Sequence, residues 1–344
     1  RAASGVCNPI TGRRLVKTWL ADQIFPYLHS FYQTLEKRLE SQFFFPRQVY
    51  RTFDSIKAQN DWFQRGVEQG WEKFTEDQID HSQYSSFVDN SFGGWETRQA
   101  AFIFGGKMMD AQRAYLQERG LFQEENLQYE DLTVESNGVI WKDWQARYLV
   151  FCEGARLRFN PYFNYLPLWP DKGEWLKIKI PGGHLENMIK QNVFIIPLGE
   201  ETFLVSGTYH KGDLSYAPTE KARAELSQKL DRVLKLPYEI IEQRAGIRGA
   251  TRDRRPFIGA HPQYPSLLLF NGFGTKGLSL SPYFAQQLLA LVDKGEAIHP
   301  EADIKRFEKF WYPLRGEWLL LYPPGPIAVG QNKAIGSALW YQSH

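Results

Sequence analysis

The chain has 344 residues, 43% of them hydrophobic and 23% charged, with a formal net charge of +2. That profile suits a soluble globular chain of one large or two interlocked domains with a substantial core. The balance of 41 basic and 39 acidic side chains argues against nucleic acid or an anionic membrane as main partner. No apolar run is long enough to cross a bilayer, and Arg1-Ala2-Ala3-Ser4-Gly5 does not open a signal peptide, so a reducing cytoplasm is the expected location. Cys7 and Cys152 lie far apart, and the seven histidines are scattered, so neither a disulfide framework nor a metal site is expected. The 15% aromatic content fits either a well-filled core or a cavity lined by rings.

In chain order, residues 1–14 read as a loop punctuated by Ser4, Gly5, Asn8, Pro9 and Gly12. Apolar residues at three- and four-residue steps predict a helix from Leu15 to about Glu40. Residues 41–98 give mixed, aromatic-rich signals. A helix is expected over Met108–Arg119, closed by Gly120. Strands are then expected at Leu132–Val134, Gly138–Trp141, Tyr148–Cys152, Trp175–Ile180, Val193–Pro197 and Thr202–Thr208. An amphipathic helix is predicted over Pro218–Leu236 with the proline in its first turn. A buried strand Leu267–Phe270, a helix Pro282–Asp293 and a short helix Asp303–Phe310 follow. Cys152 closes an apolar strand and reads as a small core residue. Helices flanking this many strands indicate an α/β or α+β chain with a large sheet.

Two glycine-rich elements stand close together. One runs from Gly246-Ile247-Arg248-Gly249 through Asp253-Arg254-Arg255-Pro256-Phe257-Ile258-Gly259; the other is Asn271-Gly272-Phe273-Gly274-Thr275-Lys276-Gly277, between a buried strand and a helix. A strand, a glycine loop and a helix start bring backbone N–H groups against an anionic or carbonyl-rich ligand. Glycine permits the close approach, and the helix start adds partial positive charge.

Together these elements resemble the D-amino-acid oxidase/glycine oxidase/sarcosine oxidase superfamily of FAD-dependent oxidoreductases. Its members carry a Gly-x-Arg strand, an Asp-Arg-x-Pro-x-Ile-Gly turn and a glycine loop over the flavin. Ala3-Ser4-Gly5 through Asn8 to Arg14 is similar to the family loop beneath the isoalloxazine. Phe151-Cys152-Glu153-Gly154 resembles the strand end that meets the cofactor. Lys172-Gly173-Glu174, Pro197-Leu198-Gly199 and Gly207-Thr208-Tyr209 resemble substrate-domain segments.

The resemblance covers roughly residues 1–310. It implies a Rossmann-like FAD-binding domain from residues 1–40, 100–160 and 240–310, interleaved with an antiparallel-sheet substrate domain from 41–99 and 161–239. Residues 311–344 form a tail. It also implies non-covalent FAD and oxidation of the C–N bond of an amino acid or secondary amine by hydride transfer. The implied cofactor contacts are Ser4, Gly5, Asn8, Cys152, Glu153, Gly154, Gly246, Arg248, Gly272, Phe273, Gly274, Thr275, Lys276 and Gly277.

Three residues are implied in catalysis. Arg248 would grip a substrate carboxylate with its fork, or serve a structural ion pair. Tyr209 would orient the amine, or pack in the core. Lys276 would place a positive charge near the reduced flavin, or stay solvated.

Family members open with a strand and a Gly-x-Gly-x-x-Gly turn for the pyrophosphate, then a strand ending in an acid for the ribose. Neither has a counterpart at the start of this sequence. A partial echo lies at Ile327–Leu339, with Asn332 where the second glycine belongs: either a displaced cofactor element or a plain tail. A truncated or non-catalytic member of the fold, acting as a binding or interaction protein, is the alternative reading. An oxidase of a modified tRNA base also belongs to the superfamily, but the neutral charge gives RNA no support.

Overall fold

The computed structural model describes residues 3–12, 15–76, 78–311 and 338–339. Among them it is a mixed α/β structure that divides into two compact units. The first takes residues 1–112, 172–210 and 216–246; the second takes 113–171, 211–215 and 247–344.

The first unit is built on a large mixed sheet of eight strands. Their order is Glu239–Arg248, Asp171–Lys179, Thr202–Ser206, Phe194–Gly199, Met188–Lys190, Val49–Thr52, Gly94–Thr97 and Thr75–Glu76. Met188–Lys190 and Val49–Thr52 run parallel, while the hairpin Phe194–Gly199/Thr202–Ser206 is antiparallel. Leu176, Ile178, Ile195 and Val205 alternate onto one face and bury against Leu226 and Leu230 of the helix Glu220–Asp231, as the two-residue period of a half-buried strand requires.

A charged network inside this unit decides where that helix begins. Lys172 and Glu174 are fully buried, with Lys172 Nζ donating to Ala217 O at 2.6 Å. The Glu174 carboxylate accepts from Thr219 N at 2.9 Å, Thr219 Oγ1 at 2.8 Å and Gln243 Nε2 at 2.9 Å. Thr219 Oγ1 in turn accepts from Ala222 N at 3.2 Å, which makes Thr219 the N-cap. The helix therefore begins at Glu220, so that Pro218 precedes it instead of sitting in its first turn, and it ends at Asp231, short of the predicted Leu236.

Two other helices differ from expectation. The first is Ala21–Leu39, not Leu15–Glu40, because Leu15 and Leu20 take left-handed backbone angles and Val16–Lys17 pairs with Ile10–Thr11. The predicted loop at 1–14 thus contains two short strands, Val6–Cys7 and Ile10–Thr11. A helix over Ile56–Gln69, which the mixed signals concealed, starts at Ser55, whose side chain accepts from Ala58 N, and stops at left-handed Gly70.

The second unit centres on a four-stranded sheet in the order Phe257–Ala260, Leu267–Asn271, Leu149–Phe151, Ala338–Leu339. Leu149–Phe151 and Leu267–Asn271 are parallel, the pairing expected of a Rossmann-like sheet. The helix Gly277–Lys294 follows directly on a 3₁₀ turn, Gly274–Lys276. It starts five residues before the predicted Pro282 because that turn runs unbroken into it. Of the glycine echo, residues 327–337 lie outside the described residues, while Ala338–Leu339 pairs antiparallel with Leu149–Phe151. The core comprises Leu149, Phe151, Phe163, Phe257, Leu267, Leu269 and Ile304 with their neighbours.

His261 is locked into this unit at 3% exposure, within ring contact of Tyr162, Phe163, Tyr165, Tyr264 and Trp311. Its Nδ1 accepts from Gln263 N and Tyr264 N, both at 3.1 Å. Burial pushes its pKa down to about 4 against a weaker opposing hydrogen bond to the Tyr162 main chain. Between the ordinary histidine value of about 6.5 and about 4, the unfolded chain binds a proton that the folded chain refuses. Stability from neutral His261 is then complete above the upper value and is lost as pH falls toward the lower one, by at most about 3 kcal/mol. Denaturant unfolding between pH 7 and 4.5 should show His261→Asn less stable than wild type at neutral pH but with a shallower acid loss; parallel pH curves would contradict this account.

Candidate functional site

Three passes of the chain meet in the second unit: the strand end Cys152–Gly154, the segment Arg248–Thr251 and the loop Asn271–Gly277. Gly274 N donates to Gly249 O at 3.0 Å. A Cβ on Gly249 would stand 2.9 Å from Gly154 C and 3.1 Å from Gly154 O, so only glycine lets those two backbones touch. Gly272 has φ +78°, and a Cβ there would lie 2.8 Å from Thr251 Cγ2. On its other side the Arg248–Thr251 segment is held by Trp169 N, which donates to Ala250 O at 2.7 Å, and by an antiparallel bridge between Leu168 and Thr251.

The structure thus brings together Cys152, Glu153, Gly154, Arg248, Gly272, Phe273, Gly274, Thr275, Lys276 and Gly277 of the predicted set. Gly246 ends the first unit. Ser4, Gly5, Asn8 and Tyr209 also belong to that unit. There Gly5, at φ +80°, accepts from Ile103 N at 2.9 Å, and a Cβ would collide with Ile103 O. Asn8 is buried, its side chain accepting from Ile10 N at 3.0 Å. Both therefore have structural work in their own unit. Tyr209 is 63% exposed, which removes core packing as its role.

The polar groups of the junction have distinct settings. Arg248 Nη1 donates to Asp171 Oδ1 at 2.5 Å, the ion pair that was one of the two readings of this arginine. Glu153 accepts from Tyr129 OH and, at 2.8 Å, from Asn160 Nδ2. Burial first, then Glu153, pushes the Tyr129 phenol up. The Cys152 thiol is pushed up to about 12, by burial and then by Glu153, so it stays protonated and unreactive.

Lys276 is half-buried, and burial followed by Arg254 and Arg255 brings its pKa down to about 8. It ends the 3₁₀ turn at the start of an 18-residue helix, where the partial charge is positive. Asn271 places its Oδ1 on Gly272 N at 2.7 Å, while its Nδ2 is buried without a hydrogen-bond partner among the described residues. An unused buried donor, backbone stripped of side chains and a cation at a helix start form a set that suits a flat, carbonyl-bearing ring.

Sequence reasoning missed Asp171, Gly249, Ala250 and Thr251. Gly249 carried a signal in its repeat with Gly246; Asp171 carried none, because its partner lies 77 residues away. A separate cavity of about 420 Å³ in the first unit is lined by Arg47, Glu186, Asn187, Pro197, Glu200 and Phe203 among others, and by none of the predicted residues. No group of three or more histidine, cysteine or acidic residues suited to a metal occurs among the described residues. No described helix is long and apolar enough to cross a membrane.

Several known proteins are similar to this chain in sequence or in fold. Glycine oxidase of Geobacillus kaustophilus is 26% identical over 160 residues, 44% of this chain and 39% of that protein. Glycine oxidase of Bacillus licheniformis is 27% identical over 127 residues, covering 36% of this chain and 34% of that one. A bifunctional ThiO/ThiG protein of Nostoc sp. is 28% identical over 137 residues, 37% of this chain but 20% of its own length. The matched segments therefore span well under two thirds of these relatives.

In fold, the crystal structure of the Geobacillus kaustophilus glycine oxidase superposes with a TM-score of 0.74 at 18% identity, covering 89% of this chain and 86% of that one. An iminodiacetate oxidase from Chelativorans sp. BNC1 gives 0.67 at 18% identity, over 89% and 88%. The dithionite-reduced L-alpha-glycerophosphate oxidase of Mycoplasma pneumoniae, with FAD bound, gives 0.68 at 13% identity, over 87% and 86%. The family model for FAD dependent oxidoreductases matches residues 2–291, and the chain belongs to that family.

Proposed function

We propose that the chain oxidises the C–N bond of an amino acid or secondary amine with non-covalently held FAD. The observation that carries this reading is the glycine junction, where Gly154, Gly249 and Gly274 pack backbone on backbone beside Lys276 and the buried Asn271 amide. In this reading Cys152–Gly154, Arg248–Gly249 and Gly272–Lys276 hold the ring side of the cofactor. FAD held by these residues would supply the hydride acceptor for the carbon bearing the amine. Arg248 orients the substrate. The relatives named as glycine oxidases, and a structural neighbour named as an iminodiacetate oxidase, support a small amine-bearing substrate.

Lys276 has the electrostatic task. Its Nζ carries a proton below about pH 8, which places a fixed positive charge where negative charge develops. The charge, and the stabilisation with it, is present below that value and lost as pH rises through it.

Three outcomes test the reading. Protein incubated with FAD and desalted should keep an absorbance band near that of bound flavin; a colourless protein would sink the proposal. Gly249→Ala should lower stability by about 1–3 kcal/mol, because its Cβ forces two backbones apart, and should weaken FAD retention, read by the same absorbance. Turnover of an accepted amine should fall above pH 8 in wild type, whereas Lys276→Met should be slower and lack that alkaline limb. A wild-type limb that survives the substitution would assign the titration to another group.

A further inference from the structure

The guanidinium available to grip a carboxylate already has one. The side chains of Arg248 and Asp171 are 24% and 16% exposed, and the two are joined by a hydrogen bond as well as by charge. Backbone register builds the pair. Leu168 bridges Thr251 in antiparallel sense and Trp169 N bonds Ala250 O; the same register carried three residues onward sets Asp171 opposite Arg248. Opposite charges directly across antiparallel strands attract, and strands cannot slip by one residue without reversing their faces. The contact of Gly249 with Gly154 and the bond from Gly274 N to Gly249 O further pin the arginine's strand.

We propose that Asp171 is the specificity-determining residue of this site. By neutralising Arg248 it turns a carboxylate receptor into a locus that favours amines with no carboxylate on the nitrogen-bearing carbon. This rests on the amine-oxidising reading above. An incoming carboxylate has two routes to the guanidinium. It can share the fork with Asp171 and meet a like charge within a few ångströms, which disfavours both ionised forms. Or it can displace Asp171, leaving a largely buried carboxylate without its partner, a costly state. An ammonium or neutral amine meets neither penalty, and a carboxylate has acceptor capacity beyond the single bond to Arg248.

The test is calorimetric titration of the FAD-incubated protein with benzoate and benzylamine, matched in ring and opposite in charge. Wild type should bind benzylamine at least tenfold more tightly than benzoate. Asp171→Asn should gain at least tenfold in benzoate affinity, and the gain should vanish in Asp171→Asn/Arg248→Gln. Asp171→Glu, which keeps the charge, should still reject benzoate. A smaller gain in Asp171→Asn, including no measurable benzoate binding, overturns the proposal, as does a gain that persists without Arg248. Thermal melts by circular dichroism report folding. Should Asp171→Asn not fold, equal binding of the two probes by wild type, or a preference for benzoate, overturns it instead. Flavin absorbance read on the same samples reports separately on the parent reading, so the two ideas can fail independently.

Discussion

The segment Arg248–Thr251 is held from three directions, and the candidate site depends on that constraint. Gly249 touches Gly154, Gly249 O accepts from Gly274 N, and Ala250 O accepts from Trp169 N. Successive carbonyls of one short segment thus serve different neighbours, with no buried main-chain acceptor wasted. The arrangement requires backbones at contact distance, which side chains forbid. Glycine at 249 and 272 is therefore a packing requirement first.

In the first unit, a different device does the comparable work. Lys172 and Glu174 are charged and fully buried, which costs desolvation that a pair rarely recovers in stability. What it provides is position. One carboxylate ties strand Asp171–Lys179, the helix start at Thr219 and Gln243 on strand Glu239–Arg248. Removing either charge would strand the other in the core, so the register of these elements is specified more sharply than apolar packing alone would specify it.

Several features were legible in the sequence because their causes are local. The strands Gly138–Trp141 and Leu267–Asn271 come from short apolar runs between turn residues. The glycine loop before a helix, and Gly120 as a left-handed stop, come from the freedom of glycine at positive φ. The helix Ile56–Gln69 had its signals, Ser55 at the start and Gly70 at the end, but the neighbouring aromatic runs obscured it. The start of the helix Glu220–Asp231 was not legible, because the hydroxyl of Thr219 is committed by Glu174, 45 residues away.

By itself the sequence determined which residue types the candidate site draws on: the two glycine elements, Arg248, Thr275 and Lys276 stand within one stretch from Gly246 to Gly277, and their types and spacing carry the family resemblance. Only the tertiary structure decided their electrostatic state. Burial and the neighbouring Arg254 and Arg255 bring the pKa of Lys276 down to about 8. An antiparallel register places Asp171 on Arg248. Spacing along a chain fixes which groups are near one another in sequence; the charge a group carries depends on what desolvates and opposes it, and here those partners arrive from distant segments.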